Sequence, residues 1–201
     1  MQIMLIGDPA IHGGWAASGS GAIQWIQSPE EAPAGVLLID LLFDGSEVRG
    51  SQLRAHKGPV WVNDVPGATS GSGAFVRING WRGFEANGRK EAAAPEALQA
   101  NAEAAAAALG KSLEWLPDSP GFVAPRVIAM IINEAYHALA EGVSSKEEIN
   151  TAMKLGTAYP HGPFEWAAII GLKNVAQLLQ ALAKDNARYA PNALLLSEAG
   201  L

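Results

Sequence analysis

The sequence predicts an α/β sheet domain joined to an all-helical domain. Three observations carry that expectation. The first half runs as short apolar segments separated by glycine- and proline-rich turns. The second half is helical, with marked starts and stops, and the texture changes at PDSPG, residues 117–121. We place the boundary at residue 119, giving an α/β domain over 1–119 and a helical domain over 120–201.

Six segments of the first half are strand-sized: Met1–Ile6, Ala22–Ile26, Val36–Phe43, Val60–Val62, Phe75–Ile78 and Leu113–Leu116. The run VLLIDLLF lacks polar alternation, as a strand covered on both faces of a parallel sheet does. One clear helix, PEALQANAEAAAAALG, has Pro95 suited to its first position and an apolar stripe at Leu98, Ala102, Ala105 and Leu109. Gly110 offers it a left-handed stop. The strand KSLEWL follows, so the economical layout is a βαβ-type layer.

The helical half begins at Pro125, with Val127, Ile128, Ile131, Ile132, Ala135 and Leu139 on one side and a stop at Gly142. Ser144 or Ser145 caps a second helix, with Glu147 and Glu148 at capping-box spacing and Gly156 as its end. Pro163 opens a third, closed at Gly171, and LKNVAQLLQALAK supplies a fourth.

Composition removes several function classes. The chain has 201 residues, 49% of them apolar, and a formal charge of −6, which argues against nucleic acid and anionic membranes as partners. With no cysteine there is neither a disulfide framework nor thiolate chemistry. The N-terminus lacks a basic n-region and a long apolar h-region, and GVLLIDLLF, interrupted by Asp40, is too short to span a bilayer. A soluble, cytoplasmic protein is the expectation. No spacing matches a zinc or calcium site, so no metal is expected, and a G-x-S-x-G elbow is absent.

The segment DSPGFVAPRVIAMIINEAYHALAEGVSSKEEINTAMKLGTAYPHGPFEWAAIIGL carries the phrases DSPGF, NEA, EGV, AMKLG and GPFE in order. In these it resembles the C-terminal domain of the 3-hydroxyacyl-CoA dehydrogenases. More loosely, VLLIDLLFDGSEVR, PVWVND and FVRINGWRGF fall in register with that family's nucleotide domain. The resemblance implies a reduced Rossmann-like domain followed by a helical domain that forms a homodimer. It also implies hydride transfer between NAD and the 3-hydroxyl of an acyl-CoA, with a His–Glu proton-transfer pair and an assisting asparagine.

Tested residue by residue, those requirements are not met. A G-x-G-x-x-G beginning at Gly7 meets Pro9 and His12 where the second and third glycines belong, and proline has no N–H to give a phosphate. GGWAASGSG is a poor helix start, and Gln27 stands where a ribose-binding carboxylate is expected, with Glu30 slightly late. The family's histidine should fall at Arg77–Asn79, which contains none; Glu85 lies near its partner's place and reads as a solvated surface acid with nothing to orient. Pro125 replaces the asparagine, while Arg126 is kept.

The catalytic residues are therefore unassigned, with Glu85 and His161 as weak candidates. Asn63, Asn79, Trp81 and Arg126 are candidates for a ligand cleft. No cofactor is expected, NAD entering only if the site is rearranged. The expected function is a 3-hydroxyacyl-CoA dehydrogenase-like dimer of acyl-CoA metabolism that binds an acyl-CoA-like ligand or a partner. An active dehydrogenase with a rearranged site and a purely structural interaction module are the alternatives.

Overall fold

The computed structural model describes residues 2–15, 23–68 and 75–201. It divides into two compact units, Met1–Phe122 and Val123–Leu201, where the sequence pointed to 119.

The first unit opens with β1 (Ile3–Ile6), a single helical turn α1 (Pro9–His12), a 3-10 turn at Gly13–Trp15 and β2 (Ile23–Ile26). It continues with β3 (Leu37–Asp40), α2 (Glu47–Ala55), β4 (Val60–Val62), β5 (Val76–Ile78), β6 (Arg89–Ala93), α3 (Glu96–Ala108) and β7 (Ser112–Trp115). The strands form one sheet in the order β2-β1-β3-β4-β5-β6-β7. Pairing is parallel from β2 to β5, antiparallel between β5 and β6, and parallel again between β6 and β7.

β1 and β3 are buried along their whole length, as their unbroken apolar runs require. Ile3, Leu5, Leu37 and Ile39 face one core, closed by Trp15, Ala102, Ala105 and Leu109. Met4, Ile6 and Leu38 face the other, with Leu53 of α2. Because β2 and β3 flank β1 on opposite sides, chain order reverses at β1. The carboxyl edge there is where open α/β sheets take ligands.

Two elements escape the sequence reading. α2 buries only Gly50 and Leu53, so it shows no stripe. β6 reads RKEAA, too polar for a strand-sized apolar run. Of GGWAASGSG, read as a poor helix start, residues 16–21 lie outside the described residues.

The second unit holds α4 (Ala124–Ala140), α5 (Lys146–Thr157), α6 (Pro163–Ile170), α7 (Leu172–Ala183) and α8 (Ala193–Ala199). Its core includes Ile132, Tyr136, Ile170, Val175, Leu179 and Leu195. Ser145 caps α5 in a capping box with Glu148. α5 does not stop at Gly156: it runs to Thr157 and ends on Ala158, which takes the left-handed conformation at φ 54°. Among the described residues no single helix is long and apolar enough to cross a membrane.

Candidate functional site

The loop leaving β1 is built around Asp8. Its carboxylate accepts from Ala10 N at 2.8 Å, and its carbonyl accepts from Ile11 N and His12 N at 3.0 and 2.8 Å. The amides that a dinucleotide loop would aim at phosphate are thus satisfied within the turn, with a carboxylate already at its start. Pro9 occupies the first helical position. His12 turns inward, so that a methyl built on Gly7 would stand 3.1 Å from His12 Cδ2.

His12 Nδ1 meets Glu85 Oε1 at 2.7 Å, and the two residues are 7% and 8% exposed. This corrects the sequence expectation for Glu85. It is neither solvated nor without a histidine, because the 84–88 turn folds back under the β1 loop. Beneath the pair, Lys90 Nζ donates to the Phe84 and Glu85 carbonyls, and Lys111 Nζ donates to Glu85 O at 3.0 Å. Burial pushes the Lys90 ammonium down to about 7, assisted by Lys111 and opposed by Glu85. Lys111 is lowered by the same burial, again against Glu85.

The asparagines chosen from sequence are structural ties. Asn63 donates to Leu41 O at 3.2 Å and accepts from Gly80 N at 2.9 Å, joining the loops after β3, β4 and β5. Asn79 accepts from Trp81 N and donates to Glu91 Oε2 at 3.0 Å. Trp81 is buried. Glu91, on β6, went unnoticed in sequence because β6 did. Arg77 is fully buried; it donates twice to Asp64 O at 3.0 and 2.8 Å, pairs with Asp118, and lies under Phe122. Burial raises the Asp64 carboxyl, with Arg77 and the Gly67 amide opposing. Near Asp64, at the start of α2, lies a cavity of about 300 Å³ with Phe43 and Phe75 among its apolar walls and Ser46 and Arg54 among its polar ones.

In the second unit His161 packs edge-on against Trp166, its ring centroid 4.9 Å away. Arg126 and Arg188 both lie over Tyr189, at 5.7 and 5.1 Å. They line a cavity of about 390 Å³ with Val127, Met130, Ile131 and Glu134. Among the described residues no group of three His, Cys, Asp or Glu could hold a metal.

Residues 121–199 match the family model for the 3-hydroxyacyl-CoA dehydrogenase C-terminal domain. The helical unit belongs to the 3-hydroxyacyl-CoA dehydrogenase family. Similar proteins include the 3-hydroxyadipyl-CoA dehydrogenase of Escherichia coli, 44% identical over 92 residues, which are 45% of this chain and 19% of that one. The 3-hydroxybutyryl-CoA dehydrogenase of Bradyrhizobium diazoefficiens is 41% identical over 98 residues, 47% of this chain and 33% of the relative. The chain therefore spans well under two thirds of the curated relatives it matches.

The fold carries the likeness further. The crystal structure of (S)-3-hydroxybutyryl-CoA dehydrogenase from Ralstonia eutropha aligns with a TM-score of 0.69 and 25% identity, over 89% of this chain and 70% of that one. The first unit is accordingly Rossmann-like. Of the 77–79 segment, where this family's histidine is expected, Arg77 and Ile78 are buried in structural roles. Arg77 meets the Asp118 carboxylate and Asn79 that of Glu91.

Proposed function

We propose that this chain is a 3-hydroxyacyl-CoA dehydrogenase-type protein of acyl-CoA metabolism that does not hold NAD in its β1 loop. It works instead as a homodimer that binds an acyl-CoA-like ligand or a partner protein. The observation that carries this reading is His12 lying against Gly7 while Asp8 takes up the loop's amides. A pyrophosphate there would meet an imidazole, a carboxylate and Pro9 in place of free N–H groups. The carboxylates after β2 have partners of their own: Glu31 accepts from Gln27 N and Ser28 N, both at 2.9 Å, and Glu30, the candidate from sequence, hydrogen-bonds with Ser28. The residues present do not fit the cofactor, and no redox step is derived through it.

Support for the dimer comes from α4. Val127 is 49% exposed, and with Met130 and Ile131 it makes an apolar strip between Arg126 and Glu134 on one helix face. Two such faces meeting about a two-fold axis would place each arginine end against the other copy's glutamate end.

Thermal unfolding with saturating NADH, with acetoacetyl-CoA and with both tests the reading. A ligand at about 100 times its Kd adds about 2.7 kcal/mol, a shift of several degrees for a chain of this size. A shift with acetoacetyl-CoA alone is the expected outcome, and a shift with NADH overturns it. One observation favours the second reading, an active dehydrogenase with a rearranged site. The His12–Glu85 pair holds an imidazole by Nδ1 on a buried carboxylate, the arrangement of a proton-transfer unit. Loss of NADH-dependent turnover in His12→Asn would establish that reading.

A further inference from the structure

Two asparagines are followed directly by glycine, in the pairs Asn79–Gly80 and Asn87–Gly88. In sequence the pairs are equivalent. A glycine carries no side chain to screen its amide, so its nitrogen can approach the side-chain amide carbon of the asparagine before it.

The structure separates the two pairs. Asn79 is 3% exposed, and its side chain donates to Glu91 Oε2 and accepts from Trp81 N. The Gly80 amide donates to Ile78 O at 3.1 Å and to Asn63 Oδ1 at 2.9 Å. Both reacting groups are held there, and an amide with two acceptors is not free to turn on its neighbour. Asn87 and Gly88, by contrast, are exposed at the end of the 84–88 turn. Asn87 N donates to Phe84 O at 3.2 Å, and Gly88 O accepts from Ser112 N at 2.8 Å where β6 meets β7. Among the described residues nothing holds the Asn87 side chain or accepts from the Gly88 amide. The carbonyl of that same amide, Asn87 O, lies 3.5 Å from Lys111 Nζ. A donor on that oxygen favours the charge it takes up as the nitrogen loses its proton, which makes the Gly88 nitrogen a better nucleophile.

We propose that Asn87 is a site of spontaneous deamidation, with water as the co-reactant, and that Asn79 is protected from it. The Gly88 nitrogen attacks Asn87 Cγ. The N–Cγ bond forms, the Cγ–Nδ2 bond breaks, and ammonia leaves carrying the Gly88 amide proton. Water then opens the cyclic imide. Opening at Cγ leaves aspartate, and opening at the main-chain carbonyl carbon leaves isoaspartate, whose main chain is longer by a methylene. No atom changes oxidation state. Either product puts a carboxylate into the turn whose carbonyls hold Lys90 and Lys111, beside a Glu85 already paired with His12. The isoaspartate product also lengthens the chain between Glu85 and β6. The change is a slow, one-way alteration of the His12–Glu85 site, independent of the ligand proposed above.

Trypsin cuts after Arg77, Arg82 and Arg89, which puts the two pairs in separate peptides, 78–82 and 83–89. The full chain is held in mildly alkaline buffer, beside the same chain kept unfolded in denaturant. Both peptides are followed by mass and by chromatographic separation of aspartate from isoaspartate. Both should convert in the unfolded chain. In the folded chain 83–89 should convert to the two products at least several-fold faster than 78–82 converts. Gly88→Ala should slow conversion of 83–89 several-fold. A methyl there would meet nothing within 4 Å and Gly88 has no positive φ, so the variant keeps the fold. Equal rates for the two peptides in the folded chain overturn the proposal. So does a folded 83–89 that stays intact while its unfolded counterpart converts, and so does a Gly88→Ala protein that converts at the wild-type rate.

Discussion

Replacing Glu85 by alanine separates a surface acid from a buried partner. A solvated glutamate far from special features changes stability by no more than about 0.5 kcal/mol when truncated. Here the side chain is 11% exposed, its oxygen lies 2.7 Å from His12 Nδ1, and its removal leaves a ring nitrogen that is itself nearly buried. Breaking a buried charged pair costs about 3–5 kcal/mol, and a neutral imidazole left unpaired costs about 1–3. The two cases together span about 1–5 kcal/mol, and the middle of that range, about 2–4 kcal/mol, is the expected loss. The assay is thermal unfolding, where that loss lowers Tm by roughly 5–15 °C. Glu85→Gln keeps an acceptor of the same shape and should lose about 1 kcal/mol. A double-mutant cycle with His12→Ala should return at least about 1 kcal/mol of coupling. A Glu85→Ala protein within about 0.5 kcal/mol of wild type, with no coupling, would refute the buried pairing.

Three more outcomes follow from single contacts. A methyl on Gly80 would stand 2.8 Å from Asn63 Cγ, whereas one on Gly13 would meet nothing within 4 Å. Gly80→Ala should therefore cost about 1–3 kcal/mol in denaturant unfolding and Gly13→Ala close to none, and equal effects would sink that packing account. Arg77→Met should cost about 3 kcal/mol, since it strips the Asp64 carbonyl of two donors and removes the guanidinium from the Asp118 carboxylate. Tyr136 OH donates to Glu198 Oε2 at 2.6 Å, and Lys146 with Tyr136 holds the Glu198 carboxyl below its ordinary range. Its contribution is present above about pH 4.5 and lost as pH falls through the lowered value, so the wild-type advantage over Tyr136→Phe should shrink in acid.

The strands buried on both faces were legible because burial itself writes the signal. Leu37–Asp40 has no polar face to interrupt it. β6 was not legible because Arg89 and Glu91 stay partly in water and its buried residues include Lys90, one of the charged types seldom found inside. The same lysine organises the candidate site. His12 and Glu85 are 73 residues apart, and no local spacing joins them. Asn79 and Glu91 meet only because β5 and β6 run antiparallel, a pairing invisible while β6 was missing. The helical half was legible to the residue at Pro163 and Gly171, and to within one residue at Ser145, which the sequence offered beside Ser144; these caps are local chemistry. It failed at Gly156, where the chain spent left-handed strain on Ala158 instead.

The His12–Glu85 contact, which ties the β1 loop to the 84–88 turn, also bears on how the two functional readings should be weighed. A ligand that needs the β1 loop open must first undo the closure, and its apparent affinity falls by the fraction of molecules already open. If closure is worth about 2–4 kcal/mol, that fraction is about one in thirty to one in a thousand. A nucleotide with micromolar affinity for the open loop would then bind with an apparent Kd of tens of micromolar to about a millimolar. A ligand or partner held by α4 would meet an exposed Val127, with the exposed Arg188 of the 187–189 turn lining the same cavity. On the proposed reading the β1 loop already has Asp8 on its amides and His12 against Gly7, while the helical unit presents an apolar strip flanked by charge, which makes the helical side the surface to probe for the ligand or partner.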